Sequence, residues 1–217
     1  MTDLGWLFNG QTMSFLFGGL LVTIELAAVA IAISFCIGML LALGRLSRIA
    51  VFRWPSTFYI EIVRALPLLL IILFCYFGLP RLIHTPIPPF VAGVIALSAF
   101  EAALVAEIIR AGILAVPRGI VEAAESQGFG GTPIMRMIVL PIALRNMMPA
   151  LVSQFVSLLK DTSLTAVITI LELLRRAQIV YAAPPFQPIP VFIFIAILYF
   201  VVNYSLSQAG RRLEARA

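Results

Sequence analysis

Ionisable and amide side chains are scarce in this sequence, so those that interrupt its apolar runs stand out. Residues 150–162 read ALVSQFVSLLKDT, which sets Ala150, Gln154, Ser157 and Asp161 at i, i+4, i+7 and i+11. That spacing puts them on one helix face, flanked by Ser153 and Lys160. A polar stripe along an apolar helix suits a solute pathway. A zwitterionic solute needs an anion or carbonyl for its ammonium, and a cation or N–H groups for its carboxylate. Asp161 suits the first need and Lys160 the second. Asp161, Thr162 and Ser163 are also good capping residues where a helix ends, and the sequence leaves both roles open. Glu101 lies mid-run with no basic residue within a turn. An ionisable group inside a bilayer is costly unless it is paired or faces a wet cavity. Glu101 is therefore expected to line the pathway or to meet a polar partner. Glu61 with Arg64 and Glu107 with Arg110 are i, i+3 pairs, adjacent on a helix surface. Both read as local neutralisation near the inner interface, with Glu61 and Arg64 also kept as pathway candidates.

The elements that must position these groups follow from composition. The chain has 217 residues, 62% hydrophobic and 12% charged, with mean hydropathy +1.08. Soluble domains carry about 25% charged residues, so a soluble globular domain is excluded. Disorder is excluded as well, because it requires low hydrophobicity. The chain reads as a single all-α membrane domain over residues 1–217. Its apolar runs cover about 14–44, 56–80, 90–114, 134–160 and 189–209, each long enough to span a bilayer. Ser34, Gly38 and Ala42 in the first run have the four-residue spacing that lets helices approach closely in lipid. Pro141 and Pro149 are expected to kink the fourth run. Residues 166–181 read as an amphipathic outer helix.

The basic residues argue for orientation. Arg45, Arg48, Arg53, Arg110, Arg118, Arg136, Arg145, Arg211, Arg212 and Arg216 fall on one side of five spans, against Arg81, Arg175 and Arg176 on the other. Cytoplasmic loops carry the excess of arginine, so an N-terminus outside and a C-terminus inside are expected. The net charge of +5 then reflects topology and not nucleic-acid binding. Cys36 and Cys75 sit in apolar runs and read as free thiols, and His84 stands alone in a Pro-rich loop. No metal site is expected. The first basic residue is Arg45, so a basic signal-peptide start is not expected.

Residues 122–141 read EAAESQGFGGTPIMRMIVLP. Glu122, Ala123, Ala124, Gly128, Ile138, Leu140 and Pro141 match the spaced pattern EAA, three residues, G, nine residues, I-x-L-P. In this the chain resembles the permease subunits of bacterial ABC importers. The likeness extends to their polar amino-acid branch through Tyr59-Ile-Glu61-Ile-Val-Arg64-Ala-Leu-Pro67, Phe100-Glu101-Ala-Ala, Lys160-Asp161-Thr162-Ser163-Leu164 and Arg176-Ala-Gln178. Ala65 and Leu66 stand where the branch usually has Gly-Thr. The resemblance implies five spans of the type I importer permease fold, in the bacterial inner membrane. It implies a short cytoplasmic helix within residues 115–133 that couples to ABC ATPase subunits, a second permease chain, identical or a sister, and a periplasmic solute-binding protein. Glutamate/aspartate or glutamine is the substrate class it points to. GFGG at 128–131 is followed by no lysine, and the chain has no G-x-x-x-x-G-K-[ST] phosphate loop. It is therefore expected to bind no cofactor and to be no enzyme, with ATP-Mg held by the partner ATPase. Three rival readings are a proton-coupled transporter, with Glu101 and Asp161 as proton carriers, an intramembrane enzyme, which the lack of a His/Asp/Ser or metal-ligand constellation in the runs argues against, and a channel.

Overall fold

The computed structural model describes residues 5–214, all in helices, turns and short links, with no strand among them. α1 (Gly10–Leu46) is capped by the Asn9 side chain, which accepts from the Gln11 N–H. At 1.5 Å per residue α1 is about 55 Å long, well beyond the ~30 Å hydrocarbon layer. Ser34, Gly38 and Ala42 are all buried in it. A Cβ on Gly38 would lie 3.0 Å from the Ala102 carbonyl oxygen, so only glycine permits this approach of α1 to α5 (Pro89–Leu114). These two helices make the most extensive contact in the molecule.

The second run is not the straight span expected over 56–80. α2 (Ala50–Ala65) and the segment Leu68–Ile83 meet at 106°. Pro67 explains the break: a residue before proline is pushed out of the α region, and Leu66 is extended at φ −95°, ψ 141°. The apolar rise is made by α3 (Leu68–Leu73), a π-helical turn at Phe74–Gly78 and α4 (Leu79–Ile83). The run therefore continues past Gly78 and Pro80, where the sequence suggested it would stop.

After α5 come α6 (Arg118–Ser126) and α7 (Gly131–Ile134). A second π-helical turn at Met135–Val139 leads into α8 (Leu140–Asp161), and a 3-10 segment runs from Thr162 to Ile168. α9 (Leu173–Tyr181) and α10 (Pro188–Glu214) complete the chain. Arg216 lies outside the described residues. Among the described residues, four helices are long and apolar enough to cross a bilayer, five if the bent α2–α4 unit is one span.

The core forms three storeys. Ala42, Ile60, Ile109, Ala124 and Ala143 belong to one, at the α6 end. Leu26, Ile72, Leu97 and Ile168 lie in the middle one. Leu16, Leu173 and Val191 make the third, where α1, α9 and α10 meet.

Candidate functional site

α6 is built to stand out from the membrane domain. Val121 and Ala124 face the core storey at the α6 end, while Glu122 and Ala123 are exposed. Gly128 adopts φ +85°. Its N–H donates to the Glu125 carbonyl at 2.9 Å, and the Phe129 N–H donates to the Ala124 carbonyl at 3.2 Å. This pair of bonds is the Schellman ending of a helix, which asks for a left-handed residue after the cap. Ile138 packs on the same core storey; Leu140 and Pro141 are exposed. Glu122 and Ala123 thus sit on a short helix held at both ends, with Ile138 anchoring the return.

Glu101 and Gln154 come together. Gln154 Nε2 donates to Glu101 Oε2 at 3.1 Å, and Glu101 is 0% exposed. Its Oε1 is buried with no hydrogen-bond partner. In this conformation the carboxyl is buried between α5 and α8. Gln154, Ser157 and Asp161 are partly buried on one α8 face; Lys160 is exposed. The capping reading of Asp161 and Thr162 does not hold. The Asp161 side chain makes no capping bond, and the backbone runs on as a 3-10 helix. The Thr162 hydroxyl is used within its own turn, donating to the Leu159 carbonyl at 2.8 Å.

The two local ion pairs fare differently. Glu107 holds Arg110, accepting from Nε at 3.0 Å and Nη2 at 3.1 Å. Glu61 does not pair with Arg64. It accepts from Arg45 Nη2 at 2.6 Å, while Arg45 Nη1 donates to Glu107 at 2.7 Å. Arg64 reaches Glu107 instead, at 3.5 Å. A guanidinium presents a rigid fork of donors, and Arg45 uses it to tie α1 to α2 and α5 at once. The sequence reading treated Arg45 only as a topology marker. Its signal was available: a cation ending one apolar run, with single carboxylates near the borders of two others.

The structure also gives partners and places to groups around α9 and on α1 that spacing alone did not assign. Glu172, 0% exposed, caps α9, accepting from the Leu174 and Arg175 N–H groups at 2.8 and 2.6 Å. The Tyr199 hydroxyl of α10 donates to it at 3.1 Å. Arg176 reaches across to donate to the Phe15 carbonyl of α1 at 2.8 Å. The expected outer helix is therefore Leu173–Tyr181, starting later than residue 166, and it is bolted to α1 and α10. Glu25 is exposed on α1, a lone carboxylate on an otherwise apolar face.

An all-helical bundle with a projecting, glycine-terminated helix between two spans is the architecture of a membrane permease component. The family model described as "Binding-protein-dependent transport system inner membrane component" matches residues 34–217. The probable glutamine ABC transporter permease protein GlnP of Bacillus subtilis is 43% identical over 211 residues, 96% of each chain. The arginine transport system permease protein ArtQ of the same organism is 35% identical over 202 residues, covering 93% of this chain and 92% of that one. Among solved structures, an amino acid ABC transporter crystallised with histidines superposes with a TM-score of 0.92 at 34% identity, over 100% of both chains. A methionine ABC transporter in an inward-facing form shares the fold, with a TM-score of 0.78 at 21% identity over 96% of this chain and 98% of that one. The chain belongs to the binding-protein-dependent transport system inner membrane component family. It is a multi-pass, non-catalytic permease subunit of an ABC transporter.

Proposed function

We propose that this chain forms the transmembrane pathway of an ATP-driven importer for a polar amino acid, with glutamine favoured over glutamate or aspartate. The observation that carries the coupling half is α6. Gly119, Ala123 and Ser126 make an exposed stripe of small residues at i, i+4 and i+7, a low profile suited to a groove in an ATPase. Glu122 borders it. The relatives' names support the substrate class, since several are called glutamine permeases.

In this reading two permease chains enclose the pathway, and a periplasmic binding protein delivers solute. Two ATPase subunits holding ATP-Mg grip the α6 helices. ATP binding switches the pathway from inward- to outward-facing. Gln154, Ser157, Lys160, Asp161 and Thr162 lie along the pathway, and Glu61 and Arg64 near its inner mouth. Glu101 becomes available when α8 moves from α5. The arginine distribution supports an N-terminus outside and a C-terminus inside.

The test is uptake of labelled glutamine by proteoliposomes holding the co-purified complex, with binding protein outside and ATP inside. Uptake that needs both supports the proposal. Uptake driven by a pH gradient without ATP would favour the proton-coupled alternative, and conductance without partners would favour a channel. Uptake of aspartate in place of glutamine overturns the substrate assignment alone.

A further inference from the structure

Two charges of opposite sign face outwards from apolar helices. Glu25 of α1 and Lys160 of α8 are both exposed. Neither makes an ion pair among the described residues, where the pairs lie on Arg45, Arg64 and Arg110. At the level of Glu25 the buried stripe of α1 is Thr23, Leu26, Ala27 and Ala30, and the helical repeat puts Glu25 on the far side. Lys160 is likewise turned from Leu151 and Leu158 in the buried stripe of α8. α5 lies on the buried side of both helices: Gly93 is beside Leu26 and Gly112 beside Met147. α1, α5 and α8 touch one another in pairs, so Glu25 and Lys160 open on the side of this trio away from α5.

α10 supplies a ruler for their depth. Its apolar span covers Pro188–Arg212, with its middle near Phe200. The Leu173 N–H donates to Thr23 Oγ1 at 3.1 Å, and the Tyr199 hydroxyl donates to Glu172 at 3.1 Å. Thr23 therefore stands near the level of Tyr199, and Glu25 about 3 Å further along α1. At the other end of α10, a Cβ on Gly210 would strike Val152 of α8. Lys160 lies about 12 Å along α8 from Val152, which brings it level with Val202. Both charges thus sit within about one helical turn of the middle of the span, on the order of 15 Å from either end. Lipid headgroups stand outside a hydrocarbon layer ~30 Å thick, and a charge left in its centre is costly.

We infer that this face docks a second copy of the chain, with each Glu25 paired to the other copy's Lys160. The inference rests on the reading that two permease chains form one pathway, and it names the second chain and the contact. Charge and depth select the occupant. A twofold rotation about the membrane normal leaves depth unchanged, so it can bring a carboxylate and an ammonium of equal depth together. One patch that carries both signs is self-complementary, as a twofold contact requires, and closes two pairs at once. Leu21 and Val29, one turn either side of Glu25, are exposed as well and surround the pair with apolar contact. Lys160 then stands where the wall of the pathway meets the second copy. Asp161 does not compete for it, being partly buried on the α8 face that carries Gln154.

The experiment reads association, so it is separable from transport. Two differently tagged copies of the full chain are co-expressed with their partner subunits, and capture of one tag is scored for the other. Glu25→Lys in both copies, or Lys160→Glu in both, should lower co-capture at least tenfold. Glu25→Lys/Lys160→Glu in both should restore it to within about twofold of the parent, a rescue that misfolding of the single variants does not produce. In a Cys36→Ala/Cys75→Ala background, Glu25→Cys in one copy and Lys160→Cys in the other should form a disulfide between the two tags when membranes are oxidised. Glu25→Cys with Leu40→Cys, whose positions on α1 are about 22 Å apart in depth, should not. A double swap no better than the singles overturns the pair, and so does a missing Glu25→Cys/Lys160→Cys cross-link. Capture of a different permease chain with no second copy overturns the choice of occupant. ATP-dependent glutamine uptake by a complex that lacks the cross-link would sink this contact alone, whereas a cross-linked dimer without uptake would sink the importer reading alone.

Discussion

At the scale of single residues, Glu107 and Glu61 show how exposure sets what a charge contributes. The Glu107 side chain is 18% exposed and collects three arginines; Glu61 is 59% exposed and touches one. Exposed pairs contribute little after screening and side-chain entropy. Glu61→Gln should therefore cost less than about 1 kcal/mol. Arg45→Ala removes a shared donor from two carboxylates, one of them largely shielded, and should cost about 2 kcal/mol. Arg45→Lys should recover only part of this, because an ammonium lacks the fork that spans both acids. Thermal unfolding of the three purified variants ranks them. Gly128 offers a sharper contrast. Its φ of +85° costs an L-residue roughly 1–2 kcal/mol, though no atom lies within 4 Å of a built Cβ. Gly131, equally open but without a positive φ, is the control. Gly128→Val should cut ATP-dependent uptake about tenfold or more (about 1.4 kcal/mol per tenfold), with Gly131→Ala near parental. Equal uptake by both would sink the claim that the α6 ending matters.

At the scale of elements, both π-helical turns end in the same way. Phe74–Gly78 runs into Leu79-Pro80, and Met135–Val139 into Leu140-Pro141. A proline ring collides with the carbonyl four residues back and offers no N–H. Widening the preceding turn avoids the collision, and the leucine N–H then bonds the carbonyl five residues back, Phe74 and Met135 respectively. A π turn is in effect one inserted residue. Pro141→Ala combined with deletion of Met137, which is 68% exposed, should therefore recover more thermal stability than the deletion alone. α9 supplies another element-scale case. Its cap, Glu172, is buried and accepts three hydrogen bonds from two helices. Glu172→Ala should leave these donors unpaired and cost about 1–3 kcal/mol. Tyr199→Phe, which removes one donor, should cost about 1 kcal/mol. Hydrogen exchange over residues 173–181 should quicken in the first variant more than in the second; no change in either would show that α9 is held by apolar contact alone.

At the scale of the whole molecule, Lys160 and Glu25 are exposed although they lie on apolar helices. A charge facing hydrocarbon is costly, so such groups face water or another chain in the assembly. Leu40, 70% exposed, has the opposite character and belongs against lipid. In a Cys36→Ala background, Lys160→Cys should react with a membrane-impermeant maleimide and Leu40→Cys should not. Equal labelling of the two would contradict a wet pathway beside α8.

Composition, periodicity and spacing were enough for membrane class, the approximate apolar runs and the packing stripe of α1, and the family resemblance for a short helix within residues 115–133. Each is a local property: hydropathy over about 20 residues, a four-residue repeat, or a contiguous motif. The family resemblance was legible for a similar reason, since its motifs are contiguous. Tertiary structure alone decided which charges meet. Arg45 stands 16 residues from Glu61 and 62 from Glu107, Glu101 stands 53 from Gln154, and Tyr199 stands 27 from Glu172. No periodicity links such positions. Their contacts depend on how α1, α5, α8 and α10 pack in depth and rotation, and on the 106° break at Leu66-Pro67 that swings α2 against the end of α1. Coulomb energy depends on distance in space, so i, i+3 spacing was only a proxy for it, and α2 shows where the proxy fails.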